Sequence, residues 1–509
     1  MILLQFILLV FASPLLRGSE VDQWCDTTPH PQPCRIFMAR YNPRHRAEFR
    51  DMAIQVALAR ATHALETAQG LEPQCHSKRT KAVWLDCLNL FRDMVAQLNR
   101  TSIGHCNALD AQTWLSAALT NLETCRSGSS DLNVTRFASA MLSNNVSELI
   151  SNTLAINGAT IKNEEAAEGV NEFPDWMTVK ERKMLQDASL ASKANVVVAK
   201  DGSGRFSTVQ SGINYAVSSR RGNERVIVYV KRGVYQENVE IASSMGQITL
   251  VGDGLKYTII TASRSVKGGF TTYSSATFGV SAPGFIARGV TFRNTAGPQK
   301  GQAVALRSSS DLSVIYSCGV EGYQDTLFVL AQRQFFKSCY IYGTIDFIFG
   351  NAAAVFQNCI IYARRPLSGQ ANVITAQGRG DPFQNTGISI QRSQVIAAPD
   401  LARVVNSVST YLGRPWQKYS RTVFLKCYLG SLVNPVGYMP WDNSNFGQDT
   451  LYYGEYRNFG PGSSTTKRVN WKGYHVITSS GVASQFTVAN MITGQSWLPT
   501  TGIPFITGL

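Results

Sequence analysis

"VIYSCGVEGYQDTLFVLAQRQFFKSCYIYGTIDFIFGNAAAVFQNCII", residues 314–361, contains one phrase three times. A short run of Val, Ile, Phe or Tyr leads to a cysteine at Cys318, Cys339 and Cys359, in steps of 21 and 20 residues. Two looser copies follow at intervals of 34, "ISIQRSQVI" around Ser393 and "VFLKCYL" around Cys427. A unit of this length, one short strand plus turns, cannot bury an apolar face alone and does so by stacking on its neighbours. The repeat predicts a parallel β-solenoid with longer insertions in its later coils.

The register carries chemistry. Asp325 lies seven residues after Cys318, and Asp346 seven after Cys339. If the cysteines hold equivalent places on successive coils, the two aspartates are stacked neighbours on strands about 4.8 Å apart. Both stand in bulky apolar runs, where a carboxylate is costly unless paired or neutralised. Two such acids cannot both ionise cheaply, so one keeps its proton to higher pH and serves as an acid beside a nucleophile or base. A structural aspartate bonded to turn amides is the plain alternative for either residue alone; their shared register argues for chemistry. The same logic sets Cys339 and Cys359 on adjacent coils, close enough to bridge in an oxidising compartment.

The chain of 509 residues changes character near residue 194. From Ala194 onward there are 29 Lys and Arg against 14 Asp and Glu, and before it 19 against 20. The C-terminal part therefore carries all of the net charge of +14. A basic domain fits a polyanionic partner: an acidic polysaccharide, an anionic membrane surface or nucleic acid. "MILLQFILLVFASPLLRGSE" opens the chain with an apolar stretch too short to span a bilayer, and reads as a secretory signal peptide over 1–19. Three N-x-S/T sequons, Asn99, Asn133 and Asn145, are usable if the chain is secreted. Secretion to the extracellular space favours the polysaccharide over nucleic acid, with no membrane span and a monomer expected.

Residues 20–160 read as an all-α four-helix bundle. "AEFRDMAIQVALARATHALETA", "TKAVWLDCLNLFRDMVAQL", "DAQTWLSAALTNLETC" and "RFASAMLSNNVSELISNTLAI" each place apolar residues three and four apart. Residues 161–193 lose that pattern and gain charge and a proline, as a linker does. Residues 194–509 form the solenoid. Only His475 of the six histidines falls there and no G-x-S-x-G occurs, which argues against a Ser-His-Asp triad. Neither H-E-x-x-H nor a C-x-x-C cluster appears, so no metal and no cofactor are expected.

"GYQDTLF", "GTIDFIFGNAAAVFQNC", "YLGRPWQKYSRTV" and "DTLYYGEYRNFGPGS" occur in this order, and with them the region from about Asn195 to the C-terminus resembles the plant pectin methylesterases. The resemblance implies a right-handed parallel β-helix that hydrolyses galacturonate methyl esters in pectin to methanol and free carboxylates. It implies Asp346 as nucleophile, Asp325 as general acid then base, and Arg414 as the cation that keeps Asp346 ionised. Gln302 and Gln324 match the oxyanion donors, Trp416 a sugar-stacking platform, and Thr272 and Arg414 substrate contacts. Phe328 stands where the family usually has tyrosine, and Tyr438 where tryptophan is common; both keep a ring.

The helical part resembles the invertase and pectin methylesterase inhibitor domain, through "WCDTTPHPQPC" and "DAQTWLSAALTNLETC". That likeness implies bridges Cys25–Cys34 and Cys87–Cys125, and leaves Cys75 and Cys106 as a conceivable third. "ERKMLQ" resembles the dibasic sites at which a subtilisin-like processing protease separates such domains, here at Arg182–Leu185. The resemblance implies that the pro-region holds the enzyme inactive until cut; a folding aid or spacer with no inhibitory contact is the plain alternative, since a helical bundle alone does not imply inhibition, and a separate proteinaceous inhibitor is a further partner. Readings from other classes are a β-helix polysaccharide lyase, which would need calcium; a glycosidase, which would shorten the chain; and an inactive pectin-binding or inhibitor protein.

Overall fold

The computed structural model describes residues 20–102, 106–164 and 190–509. The expected signal peptide (1–19) and the Arg182–Leu185 site lie outside the described residues.

Seven helices occupy the described N-terminal part: α1 (Glu20–Cys25), α2 (Pro31–Met38), α3 (Arg46–Gln69), α4 (Lys78–Ser102), α5 (Ala108–Asp131), α6 (Thr135–Leu142) and α7 (Val146–Glu164). Helices α3, α4, α5 and α7 pack in a ring, α3 on α4, α4 on α5, α5 on α7 and α7 on α3, and so make the four-helix bundle. Asn107 caps α5 by accepting from the Asp110 amide at 2.7 Å. The expected fourth helix is two. Asn144 accepts from the Val146 amide at 3.1 Å and donates to the Met141 carbonyl at 2.8 Å, a local side-chain turn that outcompetes the helix between α6 and α7.

Disulfides Cys25–Cys34 and Cys87–Cys125 are closed. Cys75 and Cys106 are thiols, for they flank opposite ends of α4, whose 25 residues span about 37 Å at 1.5 Å per residue.

The C-terminal part is a parallel β-helix of three sheets, with 11, 7 and 8 strands, paired in parallel throughout. One coil runs Ser313–Tyr316, Gly319–Glu321, Leu327–Val329, and the next Arg333–Lys337, Tyr340–Gly343, Ile348–Gly350. The corner before each ladder position, a cysteine in four coils and Ser393 or Asn458 in two others, is made by one residue in the left-handed region: Ser317, Ser338, Asn358, Arg392, Lys426 and Arg457. A single left-handed residue turns the chain from the 11-stranded sheet into the 8-stranded one, so the repeat in the sequence is a repeat of this corner. Cys318, Cys339, Cys359 and Cys427 then point inward as fully buried rungs, beside Phe336 stacked on Phe356 at 4.5 Å.

The expected Cys339–Cys359 bridge is not formed, and both remain thiols. They are adjacent, since Tyr340 pairs with Ile360. Side chains at one register of parallel strands point the same way, not at each other, and a disulfide needs converging Cβ vectors. Each thiol instead donates to a carbonyl of the preceding coil, Cys339 to Ile315 at 3.1 Å and Cys359 to Phe336 at 3.6 Å.

The 34-residue steps are absorbed by loops 364–371, 378–386, 398–409 and 414–420, which flank the seven-stranded sheet. Loop 378–386 meets α5, where Gln112 donates to the Phe383 carbonyl at 2.6 Å.

Candidate active site

Leu327 pairs with Ile348, so Asp325 and Asp346, each two residues earlier, face each other across adjacent coils. Both take left-handed backbone, φ 58° and 50°, at the sharp turn into their strands. Aspartate tolerates this conformation better than most residues, and non-glycine residues held there concentrate at functional sites. The Asp325 amide donates to the Ile345 carbonyl at 3.0 Å, tying one turn to the other.

One acid is paired and the other is not. Arg414, on loop 414–420, forks onto Asp346 with Nε at 2.8 Å from Oδ1 and Nη2 at 2.5 Å from Oδ2. Such a bidentate pair is the strong form of a charge-assisted hydrogen bond. The guanidinium also lies over the Trp441 ring at 4.5 Å, which fixes its plane. Both acids are buried, with 8% and 5% of their surface exposed. Burial lifts the Asp325 carboxyl well above the usual range, with Asp346 and then Asp131 adding repulsion that Arg414 opposes only in part. Burial also lifts Asp346, but here the hydrogen bonds and charge of Arg414 pull the other way. The arrangement thus sets an acid that keeps its proton beside a carboxylate that gives its own up more readily.

The cavity over the pair measures about 210 Å³. Gln302 and Gln324 line it, and among the described residues neither carboxamide has a hydrogen-bond partner, so both are available to an oxyanion. Trp416 stands on the rim with its ring edge towards Phe349 at 6.0 Å and Phe328 at 6.4 Å, which are themselves stacked at 4.3 Å. Every expected residue of this site, Thr272, Gln302, Gln324, Asp325, Asp346, Arg414 and Trp416, lines the same cavity. Tyr438 does not; it is fully buried against Tyr453 and Tyr474, so that departure from the family pattern concerns the core. Trp441, the last residue of "NPVGYMPW", was the missed wall, and only its proximity to Tyr438 in a Pro- and Gly-rich loop hinted at it.

The other half of the cavity comes from α5. Thr124, Ser127, Gly128 and Asp131 close it, and Asp131 accepts from the Thr272 amide at 2.8 Å. Down the same face, Asn385 donates to Thr113 at 3.0 Å, Gln384 to the Ser116 carbonyl at 3.1 Å, and Asn351 to Thr120 at 2.9 Å. The residues are small and recur every three or four positions, which lets the helix backbone sit close. At Gly128 an added Cβ would come within 3.3 Å of Thr271. On α4, Asp86 accepts from Thr271 at 2.5 Å and Asp93 from Ser243 at 2.6 Å. The bundle thus lies over the aspartate pair.

Asn99 and Asn133 are exposed, whereas Asn145 is half-buried and donates to Glu148. Among the described residues, no three His, Cys, Asp or Glu side chains converge as a metal site, and no helix is long and apolar enough to cross a membrane.

Comparison with known proteins agrees with this geometry. The family profile "Pectinesterase" matches residues 195–495, and "Plant invertase/pectin methylesterase inhibitor" matches 19–156. The chain is 54% identical to "Probable pectinesterase/pectinesterase inhibitor 60" of Arabidopsis thaliana, over 99% of this chain and 97% of that one. It is 51% identical to "Pectinesterase 2" of Citrus sinensis, over 96% and 95%. The solved "Pectin methylesterase from Carrot" superposes with a TM-score of 0.61 at 53% identity, covering 62% of this chain and 98% of that one. A β-helix with an in-register aspartate pair, an arginine fork and an inhibitor-type bundle seated upon them places this chain in the pectinesterase family.

Proposed function

We propose that this protein hydrolyses galacturonate methyl esters of pectin through Asp346 and Asp325, and that its own helical domain holds it inactive. The observation that carries the catalytic reading is the asymmetry of the pair, with Arg414 forked onto Asp346 alone.

Asp346, the better ionised acid, attacks the ester carbonyl carbon. Negative charge moves to the carbonyl oxygen, where Gln302 and Gln324 donate. Collapse expels the methoxy group, which takes its proton from Asp325 and leaves as methanol. The product is an anhydride between Asp346 and the galacturonate. Asp325, now ionised, takes a proton from water, whose oxygen attacks the anhydride and returns Asp346 and a free galacturonate carboxylate. Trp416 offers a ring to a sugar face, and Thr272 a backbone amide to its polar edge.

The bundle leaves about 210 Å³ above the acids and contributes Asp131 to it, far less space than a polysaccharide chain requires. In the same reading 1–19 directs secretion to the cell wall, 20–160 is the pro-domain, and a subtilisin-like protease cuts 161–193 near Arg182–Leu185 to release 194–509. Asn99 and Asn133 are the exposed candidates for glycosylation. The test is methanol release from highly methylated pectin before and after cutting the linker, with Asp346→Asn in parallel and EDTA throughout. Methanol only from the cut wild-type chain supports both halves. Equal release from uncut and cut chains removes the inhibitory role, and release by Asp346→Asn removes the nucleophile assignment.

A further inference from the structure

A second cavity, of about 460 Å³, lies apart from the aspartate pair, between Leu109 and Thr113 of α5 and the start of strands Gly387–Gln391 and Arg421–Leu425. Its charge is out of balance. Three arginines line it, and one, Arg333, is neutralised by Asp311 at 2.9 Å and Asp110 at 2.6 Å. The other two are not. Arg379 is buried and donates to the main-chain carbonyls of Gln384 and Pro382, which orient it without cancelling its charge. The Arg421 guanidinium has, among the described residues, neither a hydrogen-bond partner nor a carboxylate within 4.0 Å.

The position of Arg421 is built. Its stem crosses Gly387, where an added Cβ would lie 3.0 Å from the Arg421 Cδ and 2.9 Å from the Met491 Cε. Any side chain there would displace the arginine. Burial, then the charge of Arg421, brings Arg379 down to about 9, and burial brings Arg421 down to about 10. The acid that opposes this, Asp381, already accepts from Ser151 at 2.5 Å and from the Phe383 amide at 2.8 Å. Two cations opposed by a single acid that forms no ion pair with either within 4.0 Å are costly, and an anion between them relieves that cost.

The remaining lining selects among anions. Gln485 presents a carboxamide and Asn490 the oxygen of one whose amide donates to the Ser484 carbonyl at 2.9 Å, in a space larger than a bare oxyanion needs. We propose that Arg379 and Arg421 form a second carbohydrate site, which binds the free carboxylate of a non-esterified galacturonate unit and discriminates against its methyl ester. The choice of a uronate rests on the pectinesterase reading above, since each turnover converts a neutral ester into this anion. A guanidinium pair loses its partner when the carboxylate is esterified, so the site distinguishes product from substrate.

Calorimetric titration of the full chain tests this, with galacturonic acid, its methyl ester and sodium sulfate as separate ligands. The expected result is saturable 1:1 binding of galacturonic acid that weakens between 0.15 and 0.5 M NaCl, with the methyl ester at least tenfold weaker. Arg421→Gln and Arg379→Gln should each weaken the acid at least tenfold with an unchanged melting profile. Arg421→Lys, which keeps the charge but not the fork, should restore part of the binding, and serves if Arg421→Gln fails to fold. Unchanged affinity in both glutamine variants would overturn the site. Sulfate binding as tightly as galacturonic acid, or an ester binding equally well, would overturn the uronate assignment. Methanol release by the cut chain is scored separately, so loss of this site and loss of the esterase reading remain distinguishable.

Discussion

Helix α5 and the strands that carry Asp325 and Asp346 meet at one cleft, yet they reach it by different rules. On the β-helix the position of a side chain follows from its distance to a repeated corner, so two aspartates seven residues after two cysteines must be neighbours. On α5 nearly every face is buried, one by the bundle and one by the catalytic domain. A helix covered on both sides loses the polar face from which periodicity is read. Stacked coils therefore advertise their chemistry in register, whereas the docked face of α5 hides as a stripe of small residues, Thr113, Ser116, Thr120, Thr124 and Gly128.

The coil side of this comparison breaks most completely at the nucleophile. Asp346→Asn keeps the shape of the site and should lower methanol release by the cut chain by at least about three orders of magnitude. A loss below tenfold would return the pair to a structural role. Arg414→Ala comes next, at about a hundredfold, since it removes one preorganised charge. Its signature is in pH. Arg414 holds the Asp346 carboxyl down, so without it the nucleophile ionises only at higher pH, and the acid limb of the rate profile moves upward. An unmoved acid limb would mean that Arg414 serves substrate binding alone.

The helix side is tested at Thr120, in the middle of the stripe and bonded to Asn351. Thr120→Arg places a long cation where two backbones approach closely. The uncut chain should then release methanol at least about tenfold faster than the uncut wild type, approaching the cut enzyme. A Leu85→Arg control, on an exposed part of α4, should do nothing.

What could be read in advance follows the same division. The fold, the acid pair and the residues of loop 414–420 were visible because spacing and motif act along the chain. The Cys339–Cys359 bridge failed for a reason that spacing cannot contain: adjacency in register is not convergence of side chains. Asp86, Asp93 and Asp131 read as ordinary helix-surface acids, because burial against another domain leaves no mark on a helical period. Arg379 and Arg421 were equally silent, since an uncompensated charge is apparent only once its neighbours are known.

Those three helical aspartates carry the smallest predicted effect. Each is desolvated by docking: burial raises Asp86 to about 6 and also raises Asp93 and Asp131, while hydrogen bonds from Thr271, Ser243 and Thr272 oppose it. Freed into water, such groups ionise near 3.9. The docked state therefore binds more protons than the separated one, and docking must weaken as pH rises. For Asp86 the contribution is complete below about pH 4 and is lost as pH climbs through about 6. After the linker is cut, the fraction of helical domain that stays with the catalytic domain on a sizing column should fall between about pH 4 and pH 7, with affinity dropping about tenfold or more. Asp86→Asn keeps a polar partner for Thr271 without a titrating proton, and should flatten the part of that slope centred near about pH 5–6. A slope unchanged in this variant would assign the pH dependence to Asp93 and Asp131, and a flat profile in the wild type would mean that docking leaves all three carboxylates hydrated.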